Sequence, residues 1–205
     1  MMVVPSPDHS GIGMREVSGR TRQIPLYQAM LGKAWPLLPE PMRALHDWTE
    51  GLQAEGRAEV ERGDHWLALC IATLFGFPKA GKDVSVQVRF TRTAQGESWR
   101  RSFAGKSFCS HQSKGRGRWQ GLLCERFGPF AVALALVVRD ARLYLVVRHW
   151  SFLGLPLPLP VSFAPGGTTY EYLEDGRFHF HVEIRQRWIG LLVRYRGWLV
   201  PQRIS

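Results

Sequence analysis

The run His179-Phe180-His181-Val182-Glu183 is where residue type and spacing come closest to chemistry. On a β-strand, residues two apart share a face and stand about 6.7 Å apart. His179, His181 and Glu183 then point one way, and Phe178, Phe180, Val182 and Ile184 the other. Two imidazoles at that spacing can reach one metal ion, with the carboxylate as a third ligand. The same trio could serve a metal-assisted or hydrolytic reaction. Spacing nominates no further ligand, so the plainer expectation is a wet histidine face behind a phenylalanine face, with no metal and no cofactor.

A second group consists of charges set inside otherwise apolar strands. Arg101, Glu125, Arg148, Glu183 and Arg194 are the candidates for a ligand-binding floor. A buried carboxylate needs a cationic or hydrogen-bonding partner. Glu125 and Glu183, if inward, would look to arginines such as Arg148 and Arg194. Such a network is either structural or the polar floor of a pocket, and both readings stay open here.

Motifs for other chemistries are missing. Ser102, Ser107, Ser110 and His111 form no Gly-x-Ser-x-Gly elbow. Gly11-Ile12-Gly13 follows no strand, and Gly76 to Lys82 lacks phosphate-loop spacing. His46 reads as a helix cap or a hydrogen-bonded core group. The balance leans away from an enzyme and toward a binding or accessory module.

The elements that must position these residues follow from periodicity. Residues 1–23 hold prolines, glycines and charges and read as a disordered lead-in. Residues 24–205 read as one domain. Leu26 to Trp35 has helical spacing, and a second helix starts near Pro41. Asp64 to Phe75 reads as a third helix with Asp64 as its cap. Leu67, Cys70, Ile71, Leu74 and Phe75 would form its inner face, with Cys70 as a core filler. Gly56 to Arg62 alternates and is a possible first strand. From Asp83 onward the period is two. Val84, Val86, Val88 and Phe90 share a face, as do Trp99, Arg101 and Phe103. Short turns, among them Asp140-Ala141 and Asp175-Gly176, imply an antiparallel meander. A long twisted sheet either curls round a helix or closes on itself. The expected fold is α+β: N-terminal helices packed on a curved, mostly antiparallel, half-barrel-like sheet. Leu153 to Pro165, with prolines at 156, 158, 160 and 165, reads as an extended strap along a sheet edge or pocket rim.

Composition bounds the partners. The net charge is +10, carried largely by arginine. That suits an anionic surface or an acidic partner, but the charges are spread and no RNA-binding signature is present, so nucleic acid is not expected. No apolar run reaches the roughly 18 residues of a membrane span. Three scattered cysteines, Cys70, Cys109 and Cys124, fit a reducing, cytoplasmic setting with room for peripheral membrane association.

Several stretches, in order, carry a resemblance. They are Leu26-Tyr27-Gln28-Ala29-Met30-Leu31-Gly32, Leu38-Pro39, Arg43-Ala44-Leu45-His46, Gly56-Arg57-Ala58-Glu59-Val60 with Arg62-Gly63, and Phe75-Gly76-Phe77-Pro78 with Ala80-Gly81. Further on come Glu125-Arg126-Phe127-Gly128-Pro129, Gly154-Leu155-Pro156-Leu157-Pro158, Asp175-Gly176-Arg177-Phe178 and Val193-Arg194-Tyr195-Arg196-Gly197-Trp198-Leu199. From Leu26 to Leu199 the chain resembles the domain of unknown function 4166 family. The resemblance implies a bacterial protein of unassigned activity. It also implies an NAD-binding, saccharopine-dehydrogenase-like reductase as a partner, since such domains occur behind one. His181 stands where similar sequences lead one to expect an acidic residue. The functional expectation is a non-catalytic module for a small hydrophobic, lipid-like ligand. The alternatives are the His/Glu enzyme and a module that docks on a reductase or an anionic membrane.

Overall fold

The computed structural model describes residues 24–154 and 165–202. The expected lead-in, 1–23, and most of the proline-rich segment lie outside the described residues. Two short helices, α1 (Leu26–Leu31) and α2 (Glu40–Ala44), flank a 3₁₀ turn (Gly32–Leu37). Strand β1 (Gly51–Arg62) follows, then α3 (Trp66–Leu74). The remaining strands are β2 (Gly81–Thr93), β3 (Gly96–Phe103), β4 (Lys106–Lys114), β5 (Leu123–Phe127) and β6 (Phe130–Arg139). They continue as β7 (Arg142–Phe152), β8 (Thr169–Glu174), β9 (Arg177–Gln186) and β10 (Gly190–Gln202).

The ten strands form a closed antiparallel barrel, with each strand beside its sequence neighbours and β10 returning to β1. The expected α+β half-barrel is therefore wrong: the chain is mostly β, and its few helices are short. The element that decides the matter is β1. Its polar alternation made it only a possible strand in the sequence, yet it pairs along its length with both β2 and β10. An open sheet of this size would leave two unpaired edges, and the β1–β10 ladder removes both. Close approach on that seam needs glycine: a Cβ on Gly56 would lie 1.8 Å from the Trp198 carbonyl oxygen.

Alternation sets the two faces of the wall. Val86, Val88 and Phe90 of β2, Trp99 and Phe103 of β3, and Phe178 and Phe180 of β9 are buried inside. Outside, Arg194 bonds Glu183 and Glu61, each at 2.8 Å, and Arg196 bonds Glu59 at 2.6 Å. Apolar interior and charged exterior are the reverse of a barrel whose outer wall faces lipid. Among the described residues no helix is long and apolar enough to cross a membrane. The hairpins at Asp140-Ala141 and Asp175-Gly176 have positive φ at both central residues, the tight turn that suits right-twisted strands.

The two barrel ends are closed differently. The α1–α2 segment plugs one, burying Tyr27, Leu38, Met42 and Leu45 to 2% exposure or less. Helix α3 sits at the other, packed on β10. Its inner face is not the one expected. Ala68 and Ala72 are fully buried, whereas Leu74 is 81% exposed and Cys70 is exposed too. A helix apolar all round gives no moment to orient it, and small residues let it lie close to the strand. His65, not Asp64, caps it: its Nδ1 accepts from the Leu67 amide at 3.2 Å. The loop after α3 is held by Arg62, which donates to the carbonyls of Phe77 and Pro78.

Candidate functional site

The interior is not filled. A cavity of about 620 Å³ runs from the plug to α3, within the size range of small-molecule sites. Val88, Phe103, Val132, Leu134, Leu145 and Phe180 are among its apolar walls. At the α3 end it is bordered by Phe75 and Phe77, which pack on each other and reach Phe127, Phe130 and Phe108. It meets the surface there, since exposed Leu74 is one of its lining residues. Among the described residues the ladder is thinnest between β7 and β8, where Leu143–Glu171 and Tyr144–Tyr170 pair. A second, smaller cavity of about 310 Å³ lies in that gap, beside Tyr144–Val147 and Gly166–Thr169.

Polar groups gather at the plugged end. His46, just beyond α2, is 2% exposed and bonds Glu171 of β8 through Nε2 at 2.7 Å. Its ring stacks on Tyr27 of α1, centroid to centroid 4.0 Å. Arg101 of β3 donates to Ser110 of β4 at 2.7 Å and to Glu125 of β5 at 3.5 Å, with its guanidinium over the Trp99 ring. Glu97 accepts from the Trp99 indole at 3.1 Å and the Leu26 amide at 3.4 Å, tying the plug to the wall. Five buried atoms of the plug and the strand beside it have no hydrogen-bond partner: the Tyr27 hydroxyl, Arg43 Nε, His46 Nδ1, Trp48 Nε1 and Gln112 Oε1. Of these residues His46 and Gln112 line the cavity.

The local field follows from these positions. Burial holds the Tyr27 hydroxyl well above the ordinary phenol range, and Glu171, Glu125 and Glu97 add to this while Arg101 opposes it. Burial also pushes Tyr195, on the adjoining wall, up to about 12. Glu97 is raised by burial, against its bonds from Trp99 and Leu26 and the nearby His46.

The five residues singled out as a pocket floor separate. Arg101 and Glu125 line the cavity and bond each other. Glu183 borders the cavity, but its carboxylate joins Arg194 on the outer face of the barrel. Arg148 is exposed on β7 and meets neither glutamate. The trio His179, His181 and Glu183 shares the outer face of β9. There His181 stacks on Tyr170 at 4.9 Å, His179 packs on Tyr172 at 5.2 Å, and the Nδ1 of His179 is 3.7 Å from Glu174. Burial lowers the His181 pKa, with Glu183 opposing. Among the described residues no three His, Cys, Asp or Glu are placed to hold a metal ion.

Sequence reasoning missed Tyr27, Gln112 and Glu171. Glu171 had a usable signal, because it falls in phase with Leu173 on an alternating strand. Gln112 falls in phase with buried Ser110 on β4, a local signal of the same kind, whereas Tyr27 had none, since its place is set by how the plug enters the barrel.

Fold and site together define a closed β-barrel with an apolar internal cavity and one polar end. A family model, the domain of unknown function DUF4166, matches residues 38–199, and the chain belongs to that family. No curated protein and no solved structure matches it.

Proposed function

We propose that the protein is a binding module that holds a small hydrophobic, lipid-like ligand inside its barrel. The observation that carries this is the cavity of about 620 Å³ with apolar walls and a polar group cluster at one end only. A barrel built only for stability would fill that space, because each void forfeits packing energy. Native mass spectrometry of freshly purified protein, with the denatured mass as control, tests the reading. An extra non-covalent organic mass is expected. Leu134→Trp, which fills the cavity from the β6 wall, is expected to abolish it along with uptake of an apolar fluorescent probe. A bare native mass and no probe uptake by the wild-type protein would sink the reading.

A second reading concerns access, and one observation favours it. Trp66, Leu69 and Leu74 of α3, Leu153 after β7 and Trp188 between β9 and β10 are 41–81% exposed, and the topology puts all five at the α3 end. Exposed Lys79, Lys82, Arg185 and Arg187 surround them. Of the acidic neighbours Asp64 and Asp83, the latter is paired with Arg57. Tryptophan and leucine ringed by cations match the interface of an anionic bilayer. Co-sedimentation is then expected with phosphatidylglycerol-containing vesicles, weakening as salt rises. Equal binding to pure phosphatidylcholine vesicles, or none to either, would count against it.

A further inference from the structure

The polar end of the cavity also selects what it can hold, an argument that rests on the ligand-binding reading above. Among the described residues that line the cavity, Glu125 and Glu171 are acidic and turned to its polar end, and Arg101 is the only lysine or arginine. Arg101 is already committed to Ser110 and Glu125, and His46 Nε2 to Glu171. Glu97 adds a third carboxylate behind Trp99. An incoming carboxylate or phosphate would therefore meet like charges in a low-dielectric site, with no uncommitted lysine or arginine among the described lining residues to offset its desolvation. What the site does offer is hydrogen bonding without charge. Two cavity-lining residues supply it: His46, whose Nδ1 sits on a rotationally fixed ring, and Gln112, whose side-chain oxygen is unused. Each is buried, and buried polar atoms without partners are costly enough to call for an explanation.

We propose that the ligand is an uncharged amphiphile whose head carries hydroxyl groups, such as a long-chain alcohol or a monoacylglycerol, and not a fatty acid or a phospholipid anion. A hydroxyl both gives and takes a hydrogen bond, so one head can serve His46 Nδ1 and Gln112 Oε1 together. The aliphatic tail would lie along Val88, Val132 and Leu134 toward the α3 end. The preference for a neutral head runs against the protein's overall charge of +10, which attracts anions from a distance. Selection against an anion can then come only from the plugged end.

The test compares four probes of one chain length on the full chain: lauryl alcohol, monolauroylglycerol, lauric acid and laurylamine. Affinities are read by native mass spectrometry and by tryptophan fluorescence, at mildly alkaline pH where the acid is ionised. The alcohol and the glyceride are expected to bind at least about tenfold tighter than laurate, some 1.4 kcal/mol. Gln112→Leu is expected to shrink that advantage, and Glu125→Gln with Glu171→Gln to raise laurate affinity. Laurate binding as well as or better than the alcohol would overturn the proposal, as would laurylamine binding best. Binding of none of the four would instead remove the ligand-binding reading itself. The wild-type comparison needs no variant to fold.

Discussion

The two ends of the barrel are built from the same kinds of residue and put to opposite use. At the plugged end, α1 and α2 bury Met42 and Leu45 almost completely and seal a knot of Tyr27, His46, Glu171 and Arg101 away from water. At the α3 end, leucines and tryptophans face outward and the flanking charges are basic and exposed. Burial converts a leucine into stability and a glutamate into a local field. Exposure leaves the first as contact surface and the second as a screened charge. In the proposed reading the plugged end is the part that selects a ligand, and the α3 end the part that meets a membrane surface.

The largest effect that tests this contrast is a pair of identical truncations. Leu45→Ala in the plug is expected to cost about 2–5 kcal/mol, as for other fully buried leucines. Leu74→Ala on α3 is expected to stay within about 0.5 kcal/mol, because its side chain is 81% exposed. Urea denaturation midpoints measure both. Equal losses would mean that α3 is as much a part of the core as the plug.

A smaller effect separates the two kinds of ion pair. Glu171→Ala strands the buried His46 Nε2 and is expected to cost about 1–3 kcal/mol. Glu59→Ala, which removes the partner of Arg196 on the outer wall, is expected to cost about 0–1 kcal/mol. A double-mutant cycle on each pair gives the coupling directly. A coupling at the outer pair as large as that at His46–Glu171 would remove the energetic difference between interior and exterior.

How far the sequence revealed this arrangement depends on the length scale of each interaction. Alternation marked the inner faces of β2, β3 and β9, because side-chain direction on a strand repeats every two residues and is written locally. The hairpins at Asp175-Gly176 and Asp140-Ala141 were equally local. Closure was not. It rests on β1 meeting β10, with partners such as Ala58 and Gly197 far apart in the chain, and an alternating polar strand looks the same on an open edge as on a seam. The face of α3 was misjudged because volume favours Leu74 and Cys70, whereas close packing on β10 favours Ala68 and Ala72. At the candidate site, Arg101 was placed on the face of Trp99 and Phe103, but its tie to Ser110 and Glu125 spans three strands. Arg148 and Arg194 are candidate partners for Glu125 and Glu183 in the sequence; of these pairings Arg194 meets Glu183, on the outer face and not on a pocket floor.

Alkaline pH acts chiefly on the two buried tyrosines. Tyr195 keeps its proton in the folded barrel up to about 12, while the unfolded chain loses it near the model value of 10.0. Over that interval the native state binds more protons than the unfolded state, so stability falls as pH rises. Tyr27 shifts the same way. Phenolate absorbance is expected to show these two tyrosines ionising only together with loss of the fold. Their titration in step with the half-buried Tyr144 and Tyr170, before unfolding, would show that the interior is wet.

The smallest effect lies on the outer wall and has the opposite sign. His181 has a folded pKa below the model value of 6.5, chiefly because it is partly buried against Tyr170. Between that lowered value and 6.5 the unfolded chain binds the proton more readily than the barrel does. The contribution is present above 6.5 and lost as the pH falls through the interval. His181→Gln removes the titrating ring, so the variant's melting temperature should change less than that of the wild-type protein as pH drops from about 7 to 5. The difference should be small, because the ring keeps contact with solvent and with Glu183. A variant as acid-sensitive as the wild-type protein would show that His181 is not the source of that sensitivity.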